Sequence, residues 1–248
     1  FLIIVIIIMS KGYIYIASNN VGGSNDINYI KEAIFSAKSL RNVDPNAKIT
    51  LYTDKNIQNN VFTDIKLVNM SLRCKQEILS NSPYEKNIYI DTDTYIEHSI
   101  SDLFDLLDKF ELLGVSDYAR KRNFPNIPEY MKIPYGFSEI NGGIIAFKKC
   151  ENFNKMMSLW NEYYNKYKSI LLWDQPSFRI ALWESDIKMY VLPIEYNRRG
   201  QHTKEKCMKL KKKGDPRFPK DHLITRIYHF HGLEKMDKKQ RENNAQYF

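Results

Sequence analysis

Apolar and polar positions alternate along Gly12-Tyr-Ile-Tyr-Ile-Ala-Ser18, the period of a strand. Turn-forming residues 19–26 follow, with Gly22-Gly23 among them. From Ile27 the spacing becomes helical: Ile27, Ile30, Ile34 and Ala37 share one face, the run closes near Leu40, and Asp26 is the expected N-cap. Residues 48–53 and 64–68 read as strands, 71–79 as a short helix, and 87–90 as an apolar strand. This first part of the chain therefore runs β-α-β-β-α-β, the order of an α/β layer with a largely parallel sheet. Farther on, 101–109 is expected as a short helix capped by Ser101, 111–116 as a strand, and 118–137 as an irregular segment rich in Arg, Pro and Tyr. Residues 142–147 read as a strand opened by two glycines. Phe153, Met156, Met157, Trp160 and Tyr164 form the stripe of a long amphipathic helix. Asp174 heads a further helix through Trp183, and 188–192 and 224–228 are late strands.

The apolar strand at 87–90 ends abruptly in Asp91-Thr92-Asp93. On an extended backbone, acids at i and i+2 project from one face. Two carboxylates so placed repel unless a cation or proton lies between them, and the edge of a buried sheet is a suitable place for a divalent metal that grips a diphosphate. Ligands of α/β sheets sit beyond the carboxyl ends of the strands. Asp91 and Asp93 lie at such an end, as do Ala17 and Ser18.

Composition narrows the picture only a little. The 248 residues suffice for one large domain or two small ones, and 43% hydrophobic residues allow a sizeable core. Neither an internal repeat nor a sharp linker is visible. The net charge of +8 is concentrated between Lys204 and Lys220, a run that lacks interleaved aromatics. It reads as a solvated loop, and no nucleic-acid partner is expected. The three cysteines, Cys74, Cys150 and Cys207, form no Cys-x-x-Cys pair, so neither a disulfide framework nor a zinc site is expected. The opening Phe1-Leu-Ile-Ile-Val-Ile-Ile-Ile run is too short to span a bilayer and lacks the flanks of a complete signal peptide. Residues 1–9 are taken as a leader or fragment remnant with Met9 as the natural start. A cytoplasmic setting is expected, with the compartment itself unassigned.

Four further stretches stand in order with the acidic strand end: Glu139-Ile-Asn-Gly-Gly143, Trp173-Asp-Gln175, Leu192-Pro-Ile-Glu-Tyr-Asn197 and His229-Phe-His-Gly-Leu-Glu-Lys235. Together they resemble the retaining glycosyltransferases of family eight, the glycogenin-like nucleotide-sugar transferases, over roughly residues 12–235. The resemblance implies an α/β GT-A fold, a Rossmann-like and mostly parallel central sheet flanked by helices. It implies one such domain over residues 10–248, with a nucleotide-binding part at about 10–116 and an acceptor-side part at about 117–235. It also implies a Mn2+ (or Mg2+) ion held by Asp91, Asp93 and His229, with Lys235 on the donor phosphate and Gly232 allowing close backbone approach. Ala17, Asn19, Lys75 and Thr92 fall with the nucleotide-sugar contacts, as do Asn141, Gly142 and Gly143. Asp174 and Gln175 fall beside the reacting sugar carbon. A mixed oxygen and nitrogen donor set suits manganese better than calcium.

The implied reaction moves a sugar from a nucleotide-sugar, a UDP-sugar above all, to a hydroxyl of a glycan, protein or lipid acceptor. The implied stereochemical outcome is retention, and a homodimer is compatible with the sequence. The chain departs from the family pattern at Met236-Asp237, where Pro-Trp is usual, and at Gly142, where Ser or Ala is usual. Blander readings remain for single residues. Asp174 is a natural helix cap, His231 is a rival ligand to His229, and Asn141-Gly142-Gly143 could be a plain turn. The rival functions are a nucleotidyltransferase and a non-catalytic nucleotide-sugar-binding protein. The first would carry basic residues soon after its first strand, whereas none follows Asn20-Val-Gly-Gly-Ser24 before Lys31.

Overall fold

A computed structural model of the chain describes residues 10–19, 28–70, 75–171, 173–199 and 224–230. The strands are β1 (Lys11–Ala17), β2 (Ile49–Thr53), β3 (Asp64–Leu67), β4 (Lys86–Ile90), β5 (Thr94–Ile96), β6 (Leu112–Ser116), β7 (Ile140–Lys148), β8 (Met189–Leu192) and β9 (Ile227–His229). The helices are α1 (Tyr29–Val43), α2 (Lys75–Ser80), α3 (Leu103–Leu106), α4 (Pro128–Lys132), α5 (Glu151–Tyr167) and α6 (Gln175–Glu184).

Seven strands form one sheet in the order β3-β2-β1-β4-β7-β6-β8. Within it β7 alone runs against the others, pairing antiparallel with both β4 and β6. The mostly parallel α/β sheet expected from the sequence is therefore present. Strand alternation sends Tyr13, Tyr15, Ile88, Ile90, Ile144 and Ala146 to one face, against Ala33, Ala37 and Leu40 of α1 and Leu103 and Phe104 of α3. Ile14, Tyr89, Ile145 and Phe147 face the other way, against Phe153, Met156, Met157 and Trp160 of α5 and Phe178 of α6. With both faces covered, the central strands read as continuous apolar runs.

Several local expectations change. The described start of α1 is capped by Asn28, whose side chain accepts from Lys31 N; Asp26 lies outside the described residues. The helix at 101–109 is a single turn, α3, and Asp102 occupies its cap position without a side-chain bond. Ser101 hydrogen-bonds Ser99 instead, at 3.0 Å. Gly142 and Gly143 lie inside β7, not at its start. The segment 118–137 contains the short helix α4, with Pro128 at its first turn. Beside the main sheet, β5 and β9 form a two-stranded antiparallel ribbon that pairs Thr94 with His229. The sequence reading missed β5, whose three residues are too few to show a period.

Candidate metal and donor site

Asp91, Thr92 and Asp93 form the tight connection between β4 and β5, so the two acids stand on a turn and not on an extended strand as expected. Their convergence comes from how the turn is held. Asp91 N donates to Gly143 O at 2.8 Å, and Thr94 Oγ1 donates to Asp91 O at 2.9 Å. A buried polar stripe on α1, Glu32, Ser36 and Ser39, fixes the turn from behind. Thr92 Oγ1 donates to Glu32 Oε2 at 3.2 Å, Ser36 Oγ meets Thr94 Oγ1 at 2.7 Å, and Ile96 N donates to Ser39 Oγ at 2.9 Å. The Thr92 hydroxyl is thus engaged inward, toward α1.

The β5–β9 ribbon then delivers His229. Phe230 N donates to Asp93 O at 2.8 Å, and the imidazole Nε2 lies 3.1 Å from Asp93 Oδ1 and 3.8 Å from Asp91 Oδ2. Asp91, Asp93 and His229 offer one ligand atom each, all within 4.8 Å of one another, which fits a divalent cation. Space for the ring comes from Gly143: a Cβ there would lie 2.3 Å from His229 Cε1.

Lys75 at the start of α2 closes one side. Its Nζ is 3.4 Å from Asp91 Oδ1, donates to Gly142 O at 3.0 Å, and sits 4.5 Å from the centre of the Tyr89 ring. The Tyr89 hydroxyl also donates to Asp91. Burial works to raise the Asp91 pKa, but the Lys75 ammonium, His229 and the Tyr89 hydroxyl outweigh it and hold the carboxyl below its usual range. Burial, with Asp91 and Asp174 nearby, pushes the Tyr89 phenol far above its usual range.

A second group of residues flanks the first. Asn141 donates to Asp117 Oδ2 at 2.9 Å, while its carbonyl oxygen accepts from Gly143 N at 2.9 Å and Asn197 Nδ2 at 2.8 Å. Gln175 Nε2 donates to Glu139 Oε2 at 2.7 Å, and Gln175 Oε1 lies 3.4 Å from Gly142 N. Glu139 is fully buried and is held also by Tyr130 and Arg122. Arg122 and Arg199 lie 3.7 and 3.6 Å from the Asp117 carboxylate.

Asp174 occupies the cap position of α6 but makes no side-chain cap bond. Its backbone carbonyl instead accepts from Trp160 Nε1 at 3.1 Å and Ser177 Oγ at 2.6 Å. Ala17 ends β1, and the Asn19 side chain is engaged at the start of α1, donating to Asn28 at 2.8 Å. Gly232, Lys235, His231 and the basic run at 204–220 lie outside the described residues, as do Cys74 and Cys207. Asp117, Glu139 and Asn197 had not been singled out as site residues. Glu139 and Asn197 belong to quoted motifs and Asp117 to none, and no spacing in the sequence marks which of a motif's residues turn inward.

No protein-family model matches the sequence. A stretch covering 46% of this chain is 27% identical over 132 residues to glucoside xylosyltransferase 2 of Mus musculus. Glucoside xylosyltransferase 1 of Gallus gallus matches at the same identity and over the same length. The match takes up only 30% of each relative's length. Among solved structures, the galactosyltransferase LgtC bound to donor and acceptor sugar analogues superposes over 95% of this chain and 92% of its own, with a TM-score of 0.59 at 14% identity. The glycosyltransferase GlyE of Streptococcus pneumoniae TIGR4 superposes over 96% of this chain and 60% of its own, with a TM-score of 0.59 at 17% identity. The structural neighbours share the fold, GT-A. With the two sequence relatives, they bear out the resemblance to family-eight glycosyltransferases.

Proposed function

We propose that this chain, with its GT-A fold and its likeness to family-eight glycosyltransferases, is a metal-dependent enzyme that transfers a sugar from a UDP-sugar to a hydroxyl acceptor with retention. The observation that carries this reading is the convergence of Asp91, Asp93 and His229 beyond the end of β4. That is where α/β sheets bind ligands. A manganese or magnesium ion held there would supply Lewis acidity toward the donor diphosphate.

The remaining groups act by placement and charge. Lys75, already drawn to Asp91, adds a cation beside the place for the phosphates. Lys235 and Gly232 are assigned to the same phosphates on the family resemblance. Asp174 and Gln175 are assigned to the donor sugar. Glu139 accepts from the Gln175 amide nitrogen, which turns the amide oxygen away from Glu139. An oxygen so presented can stabilise positive charge growing on the anomeric carbon. In a front-face transfer the anomeric carbon–phosphate oxygen bond breaks and the acceptor oxygen bonds to the same face of that carbon. The acceptor proton passes to the departing phosphate oxygen. Positioning then supplies most of the acceleration.

The test is a panel of nucleotide-sugars incubated with the full chain and Mn2+, scored for slow release of free nucleoside diphosphate, which needs no acceptor. Release from one UDP-sugar, abolished by a chelator, is expected. No release from any nucleotide-sugar would refute the reading.

A further inference from the structure

We propose that Asn197 is a positioning residue that fixes the tautomer of His229, so that Nε2 presents its lone pair to a divalent cation while Nδ1 carries the proton. The proposal rests on the metal site proposed above.

The assignment follows from donors and acceptors whose identity is not open to choice. A backbone N–H can only donate, so the Asn141 atom that receives Gly143 N at 2.9 Å is its carbonyl oxygen. The other end of that amide lies 2.9 Å from Asp117 Oδ2, as a donating NH2 group requires. Asn141 is thereby oriented from both ends. Its carbonyl oxygen also lies 2.8 Å from Asn197, so Asn197 turns its NH2 group toward Asn141. The Asn197 oxygen is then left to face His229 Nδ1, at 2.8 Å. An amide oxygen there demands a proton on Nδ1. With the ring proton fixed on Nδ1, Nε2 is the nitrogen left to ligate. It faces Asp93 at 3.1 Å and Asp91 at 3.8 Å, and its lone pair suits that place when a cation stands between it and the two carboxylates. The opposite tautomer would point a proton into the place of the cation.

The relay is buried throughout: Asp117, Asn141, Asn197 and His229 are all less than a tenth exposed. Water does not readily substitute for a lost partner at such positions, so each bond constrains the next. Asn197 is itself held by a bond from its backbone N to Ile194 O at 3.1 Å.

The experiment has two arms, both on the full chain. Long-range 1H–15N NMR of the metal-free protein reads directly which ring nitrogens of His229 carry a proton. A proton on Nδ1 of His229 is expected, whatever Nε2 shares with the Asp93 carboxylate in the absence of a cation, and an Nδ1 without a proton overturns the proposal. Calorimetric titration with Mn2+ in the presence of UDP then compares the parent with Asn197→Ala and Asn197→Asp. Asn197→Ala should weaken Mn2+ binding by about 10–100-fold, the usual cost of removing a partner behind a ligating histidine. Asn197→Asp keeps an acceptor for Nδ1–H and should retain most of the affinity, although losing the donor to Asn141 lowers its melting temperature. A purely structural role predicts lost stability in both variants with Mn2+ affinity unmoved, and that result overturns the proposal. So does a folded Asn197→Asp that loses Mn2+. A parent with no Mn2+ affinity overturns the metal half of the proposal together with the reading it rests on, while the NMR arm separately judges the tautomer.

Discussion

Gly143 lacks a side chain at the spot where the imidazole of His229 packs. Added as an ideal atom, a Cβ there would stand 2.6 Å from Nδ1 and 2.9 Å from Asn141 Oδ1, so it presses on two members of one hydrogen-bonded relay. His229 is only 8% exposed and its ring is held by Asn197, which leaves it little room to yield. Gly143→Ala should therefore weaken Mn2+ binding by about 10–100-fold, comparable to losing an outer partner of a ligating histidine. Titration of Mn2+ into the UDP-bound variant checks this. The family resemblance had placed Gly142 and Gly143 with the nucleotide-sugar contacts; the structure adds that Gly143 leaves room for the His229 ring. Asp91 and Asp93 were legible from the acidic end of an apolar strand, and His229 from the family resemblance. Asn197, Glu139 and Asp117 were not, because amides and carboxylates in short loops usually serve turns.

Among the elements, α6 carries the sharpest question. Asp174 was open to a reading as a mere helix cap, and Asn is about as good a cap as Asp. The structure gives Asp174 the cap position but no side-chain cap bond. Asp174→Asn should leave thermal stability nearly unchanged, within about 0.5 kcal/mol. If the carboxylate meets the donor sugar, donor hydrolysis should fall by about tenfold or more, equivalent to ~1.4 kcal/mol of transition-state stabilisation, with UDP affinity preserved. Full hydrolysis by the variant removes Asp174 from the site. The position of α6 is secured by packing: Trp160 of α5 stacks on Phe178 with ring centres 4.2 Å apart. That contact was foreshadowed by the apolar stripe of α5. The polar stripe of α1 was not, since buried Ser and Glu carry no hydrophobic signal. Nor was the β5–β9 ribbon, which depends on pairing distant residues.

At the scale of the whole molecule, the order of strands and helices was legible because period and turn chemistry are local. The reversal of β7 was not, because direction within a sheet is decided by tertiary packing. Away from the site, α4 is tied to α5 by Glu129, which pairs with Lys166 at 2.6 Å and accepts from Tyr167. The Lys166 and Tyr167 hydrogen bonds lower the Glu129 pKa from 4.5 to about 2. A carboxyl with a depressed folded-state pKa contributes stability that is present above the unfolded value and is lost as pH falls through the folded one. The urea midpoint should thus lose a component between about pH 4.5 and 2, and Glu129→Gln should lack that component. Identical acid profiles would remove the tether from the account. No helix among the described residues is long and apolar enough to cross a membrane. The central claim is that the acids at the end of β4 hold the metal on which nucleotide binding depends. It is tested most directly by measuring UDP affinity with and without Mn2+ in the parent and in Asp91→Ala. The account predicts Mn2+-dependent binding in the parent and its loss in a variant that stays folded. Unchanged, Mn2+-dependent UDP affinity in Asp91→Ala would contradict it.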